Sequence, residues 1–141
     1  MNSKLNSCWF ALRFGIGLTA TLAGLDKFFN ILADWGSYVS PLAVRVLPIS
    51  IGTFMALVGV IEIAVGASIL TRWTRVGAYA ASAWLVAVAL NLAAAGFLDV
   101  AVRDVIMSIA AFTLARLTEV RQGAVAYRFS SVVERPREQV A

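Results

Sequence analysis

The chain has 141 residues, of which 60% are hydrophobic and 14% are charged, and its mean hydropathy is +0.82. Soluble domains average about 25% charged residues, and a domain of this size buries only about two-thirds of its surface, so this composition predicts a membrane protein. The absence of histidine and the single cysteine, Cys8, exclude histidine-ligated haem or metal, a serine–histidine triad, an intramolecular disulfide and an iron–sulfur cluster.

Four apolar stretches are candidates for membrane-spanning helices, each of which needs about 20 mostly apolar residues. The fourth stretch is short, but we expect the charged side chains at its ends to reach the lipid headgroups. The connections after the second and third stretches are short, which favours antiparallel neighbours. The sequence therefore predicts an all-α, antiparallel four-helix transmembrane bundle within residues 1–120, with spans at residues 9–29, 47–70, 76–98 and 105–117.

Two segments outside these spans differ in character. Residues 30–46 contain Trp35 and Tyr38, which favour the headgroup zone, and predict an interfacial loop with room for one helical turn. In residues 121–141 the charge rises and the apolar periodicity fades, which predicts a partly disordered tail.

Charge is distributed unevenly between the two sides that four spans would create. The side with both termini carries eight basic and three acidic residues, and the other side carries three basic and four acidic residues. The positive-inside rule therefore predicts a bacterial-type cytoplasmic (inner) membrane with both termini in the cytoplasm. A cleaved signal peptide is the alternative for the first stretch, but Arg13 interrupts its apolar core, so we expect this stretch to be retained as a span.

Glu62 is the ionisable residue placed deepest in a predicted span. Gly52, Gly59 and Gly66 recur every seven residues in the same span and predict a narrow face for close helix packing. Glu62 lies beside that face, so we expect it to point toward a neighbouring helix. It is either a proton acceptor or polar anchor for a quinone-like ligand, or a hydrogen-bonded residue that holds helices together.

Arg13 opens a second small-residue face in the first span, which continues through Gly17 and Gly24. It is either an interface anchor whose side chain extends to the headgroups or a functional group. A direct pair with Glu62 is disfavoured, because Glu62 lies about 7 Å deeper at 1.5 Å per residue and the two side chains lean apart along antiparallel helices.

A group of polar residues is predicted at the opposite, extracytoplasmic end of the helices. It combines two cations, two carboxylates and an amide, and it could bind an anionic or quinoid head group. The alternative is a set of ordinary boundary charges that water hydrates. The members are Asp26, Lys27, Asn91, Arg103 and Asp104.

Short motifs in residues 13–117 resemble the DoxX-like four-span membrane proteins and the related methylamine-utilisation MauE group. The first predicted helix has an arginine before a glycine and a glycine-x-x-lysine ending, and the second has a glycine-x-x-glutamate motif. The fourth begins with an arginine–aspartate pair. These motifs are Arg13-Phe14-Gly15, Gly24-Leu25-Asp26-Lys27, Gly59-Val60-Ile61-Glu62 and Arg103-Asp104.

Some members of this family resemble small subunits of quinone-linked oxidoreductases, and others are associated with oxidative-stress assemblies. We accordingly expect an accessory subunit of a membrane redox assembly, with a non-covalently bound quinone and without haem or metal, whose isolated chain performs no redox chemistry. Its expected partners are membrane lipid and a larger membrane-protein complex or further copies of itself, and no nucleic acid. The alternative function is a structural scaffold that packs between larger subunits.

Overall fold

The computed structural model describes the backbone of residues 3–133 and the side chains of residues 3–127. Within this part of the chain every regular element is helical. The elements are α1 (Ser3–Asp26), a 3-10 turn (Trp35–Tyr38), α2 (Pro41–Val46), α3 (Ile51–Leu70), α4 (Thr74–Ala94) and α5 (Leu98–Val133).

Three of these helices, α1, α3 and α4, are long and apolar enough to cross a membrane. Their outer surfaces carry large apolar side chains, such as Leu22, Val60 and Leu90, which are each more than half exposed. Such surfaces favour contact with membrane lipid. α5 is longer than the other three, but charged residues lie at both ends of its apolar segment.

The four long helices contact one another in the pairs α1–α3, α3–α4, α4–α5 and α1–α5. Gly24 lies opposite Gly59 and Gly17 lies close to Gly66, so α1 and α3 run antiparallel. Small side chains allow the close approach, because the helix backbones then meet without intervening bulk. The largest buried cluster joins α1, α3, α4 and α5 and comprises Trp9, Ile16, Ile69, Ala78, Ala81, Ala111, Leu114 and Ala115.

Helix ends follow local signals that the apolar pattern does not contain. α4 ends at Ala94, before the predicted bound of residue 98, because Gly96 adopts a φ of 90° and the Phe97 N–H donates to the Leu92 carbonyl. The predicted interfacial loop holds two short helical segments, the 3-10 turn and α2. Ser40 caps α2 by accepting a hydrogen bond from the Ala43 N–H, and Pro41 occupies its first turn.

α5 continues through the first part of the predicted tail, residues 121–133, and ends at Val133. The apolar pattern fades after Leu117, but that fading marks the end of an apolar segment and not the end of a helix. Residues 121–133 contain one glycine, Gly123, and no proline, so nothing in the local sequence breaks the helix. The rest of the predicted tail, residues 134–141, lies outside the described residues.

Candidate functional site

A buried ion pair joins α1 to α3. The Lys27 ammonium donates to Glu62 Oε2 over 2.5 Å, and the two side chains are 5% and 14% exposed. Charged groups placed among apolar helices are costly unless they are paired, so the contact with Lys27 explains how Glu62 is accommodated.

The geometry of the antiparallel helices brings these two residues together. Lys27 lies one turn after Gly24 and Glu62 lies one turn after Gly59, so the pair flanks a close contact of the two helices. Helical side chains lean toward the N-terminus of their own helix. Because α1 and α3 run in opposite directions, both side chains lean back toward the glycine contact and meet there.

Trp35 covers the ion pair from the loop that follows α1. The Lys27 ammonium lies 3.9 Å from the centre of the Trp35 ring, which is a favourable cation–π arrangement. The Trp35 indole N–H donates to Asp26 over 2.7 Å, and this bond fixes the ring. Lys27 is therefore held between a carboxylate and an aromatic face.

Asp26 organises the loop that follows α1. Its carboxylate accepts hydrogen bonds from the N–H groups of Ile31 and Leu32, each over 2.9 Å, in addition to the Trp35 bond. Asn30 has a φ of 52° and makes the turn that brings these donors back to Asp26. The residue thus caps the chain that leaves α1.

Asn91 has a similar role on α4. Its side-chain amide donates to the Tyr38 carbonyl over 2.9 Å, and its oxygen accepts from the Ser40 N–H over 3.1 Å. Both partners belong to the connection between α1 and α3. Asn91 therefore attaches this connection to α4.

Arg103 and Asp104 form the remaining part of the predicted cluster, at the start of α5. Arg103 donates to Asp104 Oδ1 over 3.2 Å, with 62% of the Arg103 side chain exposed and 7% of the Asp104 side chain exposed. The Asp104 carboxyl also interacts electrostatically with Lys27. The predicted cluster is thus divided, with Lys27, Arg103 and Asp104 in one charged group and Asp26 and Asn91 bonded to the loop.

Glycines of α1 and α3 pack against the opposite helix of the same chain. A methyl group on Gly24 would lie 2.7 Å from the Gly59 carbonyl oxygen, and one on Gly59 would lie 2.7 Å from the Gly24 carbonyl oxygen. Gly17 and Gly66 are equally crowded, by Leu70 and by the Gly17 carbonyl respectively. Gly52 has no atom within 4 Å of its methyl position, so the predicted seven-residue face stops at Gly59.

Arg13 caps the C-terminal end of α3. Its guanidinium donates to the carbonyls of Ile69 (2.9 Å), Leu70 (2.6 Å) and Thr71 (2.6 Å). The last carbonyls of a helix have no partners within the helix and carry its negative dipole end, so a cation there is stabilising. Arg13 and Glu62 do not bond to each other in the part of the chain that the structure describes.

Replacing Arg13 by glutamine is expected to lower the free energy of unfolding by about 2 kcal/mol, because three hydrogen bonds from a charged donor are lost at the end of α3. Detergent-solubilised protein titrated with sodium dodecyl sulfate and followed by circular dichroism measures this loss. Arg75→Gln is the matched control, since Arg75 is exposed at the same end of the helices. An equal effect of the two substitutions would contradict the capping role.

The end of the helices opposite the ion pair contains functional candidates that the sequence analysis missed. Trp9 is 5% exposed and donates to Thr118 Oγ1 over 2.7 Å, and the Arg121 guanidinium lies 3.9 Å from its ring centre. Arg121 Nη1 and Trp84 Nε1 are buried without a hydrogen-bond partner among the described side chains. Trp9 and Arg121 lie on different helices and far apart in the sequence, so no sequence pattern predicts their contact.

Comparison of the chain with family models, with curated proteins and with solved structures found no match. The function is therefore argued from the geometry.

Proposed function

We propose that this protein is an accessory subunit of a quinone-linked redox assembly in a bacterial cytoplasmic membrane. The observation that carries the proposal is the buried Lys27–Glu62 pair, which places a titratable carboxylate between apolar helices. Ionisable residues at such positions commonly mark ligand or proton pathways. The resemblance to DoxX-like proteins supports the same function.

The proposal includes a fourth crossing of the membrane by the first half of α5. Val105–Ala115 contains no charged residue, and Ile106, Ile109 and Phe112 expose 61%, 60% and 49% of their surfaces. An even number of crossings puts both termini on one side, and the excess of basic residues there favours the cytoplasm. The ion pair then lies toward the extracytoplasmic surface.

The charged group formed by Lys27, Arg103 and Asp104 fits the head group of a quinone in its donor chemistry. Quinone carbonyl oxygens accept hydrogen bonds, and Lys27 and Arg103 offer N–H donors. Arg103 is exposed and supplies the accessible donor, whereas Lys27 is enclosed. A bound quinone would supply the electron-carrying chemistry, because these side chains provide none.

Glu62 would act as the proton acceptor of this site. Its Oε2 atom accepts a hydrogen bond from the Lys27 ammonium. Loss of the lysine charge or protonation of Glu62 would therefore weaken this contact. Trp35 excludes water from that contact by covering the ammonium. The roles of the chain itself are thus to orient a head group and to hold a proton.

Titration with a water-soluble ubiquinone analogue tests the proposal through tryptophan fluorescence, because Trp35 lies against Lys27. We expect saturable quenching that Arg103→Gln weakens and that Arg45→Gln, at an exposed cation on α2, leaves unchanged. In the purified assembly, Glu62→Gln is expected to lower turnover, whereas the exposed Asp34→Asn does not. Absence of saturable quenching, with and without native partners, would refute the quinone part.

A structural scaffold is the second candidate function, and the closed geometry of the polar groups favours it. Glu62 is paired with Lys27, and Asp26 accepts three hydrogen bonds within the chain. In that case Glu62→Gln leaves both turnover and co-purification with the partner unchanged. Four glycines of α1 and α3 pack against the opposite helix within the chain, so their substitution tests the fold and not partner docking. They are Gly17, Gly24, Gly59 and Gly66.

A further inference from the structure

An open pocket of about 1070 Å³ lies at the end of the helices that carries the N-terminal part of α1. Residues from α1, from the turn between α3 and α4, and from α5 line it. Trp9 and Lys27 are separated by about 27 Å along α1 at 1.5 Å per residue, so this pocket is remote from the ion pair. An inference about it does not rest on the proposed redox function.

The pocket lining is strongly basic. Arg13, Arg72 and Arg121 line it, and no aspartate or glutamate does so among the described residues. None of the three arginines forms a salt bridge with a described carboxylate, and the nearby Glu119 is bonded to Arg116 and Tyr79. Three guanidinium groups therefore act on one pocket without a countercharge from the chain described here.

Aromatic rings orient the Arg121 guanidinium, but one of its nitrogen atoms makes no hydrogen bond within the described residues. Its guanidinium lies 3.9 Å from the ring centre of Trp9 and 5.2 Å from that of Phe10, and these contacts orient it. Its Nη1 atom is buried and has no hydrogen-bond partner within the described residues. Buried polar groups are normally hydrogen-bonded, so this nitrogen calls for a partner from outside the chain.

The three threonine hydroxyl groups that line the pocket are already engaged, and the exposed Gln122 side chain lines it as well. The Thr71 hydroxyl donates to the Ser68 carbonyl, the Thr74 hydroxyl donates to the Ile69 carbonyl, and the Thr118 hydroxyl donates to the Leu114 carbonyl. The pocket therefore offers guanidinium N–H groups and the Gln122 amide as donors. Guanidinium groups match the geometry of phosphate oxygens and bind them through paired hydrogen bonds.

We propose that this pocket binds a phosphate-bearing anion, held by Arg121 and Arg72 with Arg13 contributing positive potential. Val125 and Ala126 form an apolar part of the lining, which suits the glycerol and acyl region of an anionic phospholipid. Basic pockets between membrane helices bind such head groups. Free inorganic phosphate shares the binding chemistry but makes no use of the apolar part.

The test uses the full chain, freed of lipid in a neutral detergent, and follows tryptophan fluorescence in two titrations. One titration adds phosphatidylglycerol, with phosphatidylcholine as the lipid lacking net charge, and the other adds inorganic phosphate. We expect Arg121→Gln to weaken phosphatidylglycerol binding about tenfold or more, and Arg72→Gln, at an exposed residue, to weaken it severalfold. Arg75→Gln is the control, because Arg75 is an exposed arginine at the same end that does not line the pocket.

Four results decide the proposal. Arginine-dependent binding of phosphatidylglycerol supports a lipid site, and arginine-dependent binding of inorganic phosphate alone supports a site for a soluble phosphate. Equal losses for Arg121→Gln, Arg72→Gln and Arg75→Gln, or no saturable binding in either titration, would overturn it. Because Arg72 is exposed, its variant tests the site even if Arg121→Gln fails to fold.

Discussion

Replacing Lys27 by methionine is expected to lower the free energy of unfolding by about 3–5 kcal/mol, because Glu62 is then left buried without its countercharge. The two side chains are 5% and 14% exposed, so water screens the loss only weakly. Titration with sodium dodecyl sulfate in mixed micelles, followed by circular dichroism, measures the change. Arg116→Gln is the control, since it breaks the Arg116–Glu119 ion pair, whose side chains are 62% and 31% exposed, and is expected to cost about 0–1 kcal/mol.

The double variant Lys27→Met/Glu62→Met removes both charges. It therefore distinguishes the contribution of the pair to the free energy of unfolding from the cost of leaving one buried charge unpaired. Replacement of a buried pair by apolar side chains is often neutral or stabilising, so we expect the double variant to be more stable than Lys27→Met alone. A Lys27→Met effect no larger than that of Arg116→Gln would contradict a buried ion pair between Lys27 and Glu62.

Composition was enough to predict a membrane protein, and the apolar stretches of the sequence were enough to place its long helices, since stretches of about 20 apolar residues are a strong signal. The helix ends could not be predicted as well. Gly96 ends α4 through a left-handed backbone conformation, and α5 continues past its apolar segment to Val133. Local capping and helix propensity set these ends, and neither contributes to hydropathy.

The partner of Glu62 was missed for a geometric reason. The opposite lean of side chains on antiparallel helices disfavours an Arg13–Glu62 pair, and the same lean brings Lys27 and Glu62 together. Arg13 lies on the side of the glycine contact from which its side chain leans away, whereas Lys27 leans toward it. The register of Gly24 against Gly59 was needed to make that distinction, and sequence spacing alone does not fix a register.

The contact of the seven-residue glycine pattern with α1 stops before Gly52 for the same reason. In the register that places Gly24 against Gly59 and Gly17 against Gly66, the position opposite Gly52 is residue 31, and α1 has already ended at Asp26. A periodic face contributes to packing only over the length of its neighbour. The basic pocket around Arg121 could not be predicted from the sequence either, because it depends on a helix that extends beyond the predicted span.

Replacing Gly59 by leucine is expected to lower the free energy of unfolding by about 3 kcal/mol or more, because a side chain there would collide with the backbone of α1. The collision partner is the Gly24 carbonyl oxygen, 2.7 Å from the methyl position, and a backbone atom of a packed helix cannot rotate away. The helices must separate, and separation also pulls Lys27 from Glu62. The same micelle titration measures the change.

Gly52→Leu is the matched control, a glycine of the same helix whose methyl position has no atom within 4 Å. Leucine is a better helix former than glycine by about 1 kcal/mol or less, so this variant is expected to be neutral or slightly more stable. The two substitutions add the same side chain to the same helix and differ in what lies opposite. Equal stability of the two variants would therefore mean that α1 and α3 do not meet backbone to backbone, and the Lys27–Glu62 contact that depends on this approach would lose its structural basis.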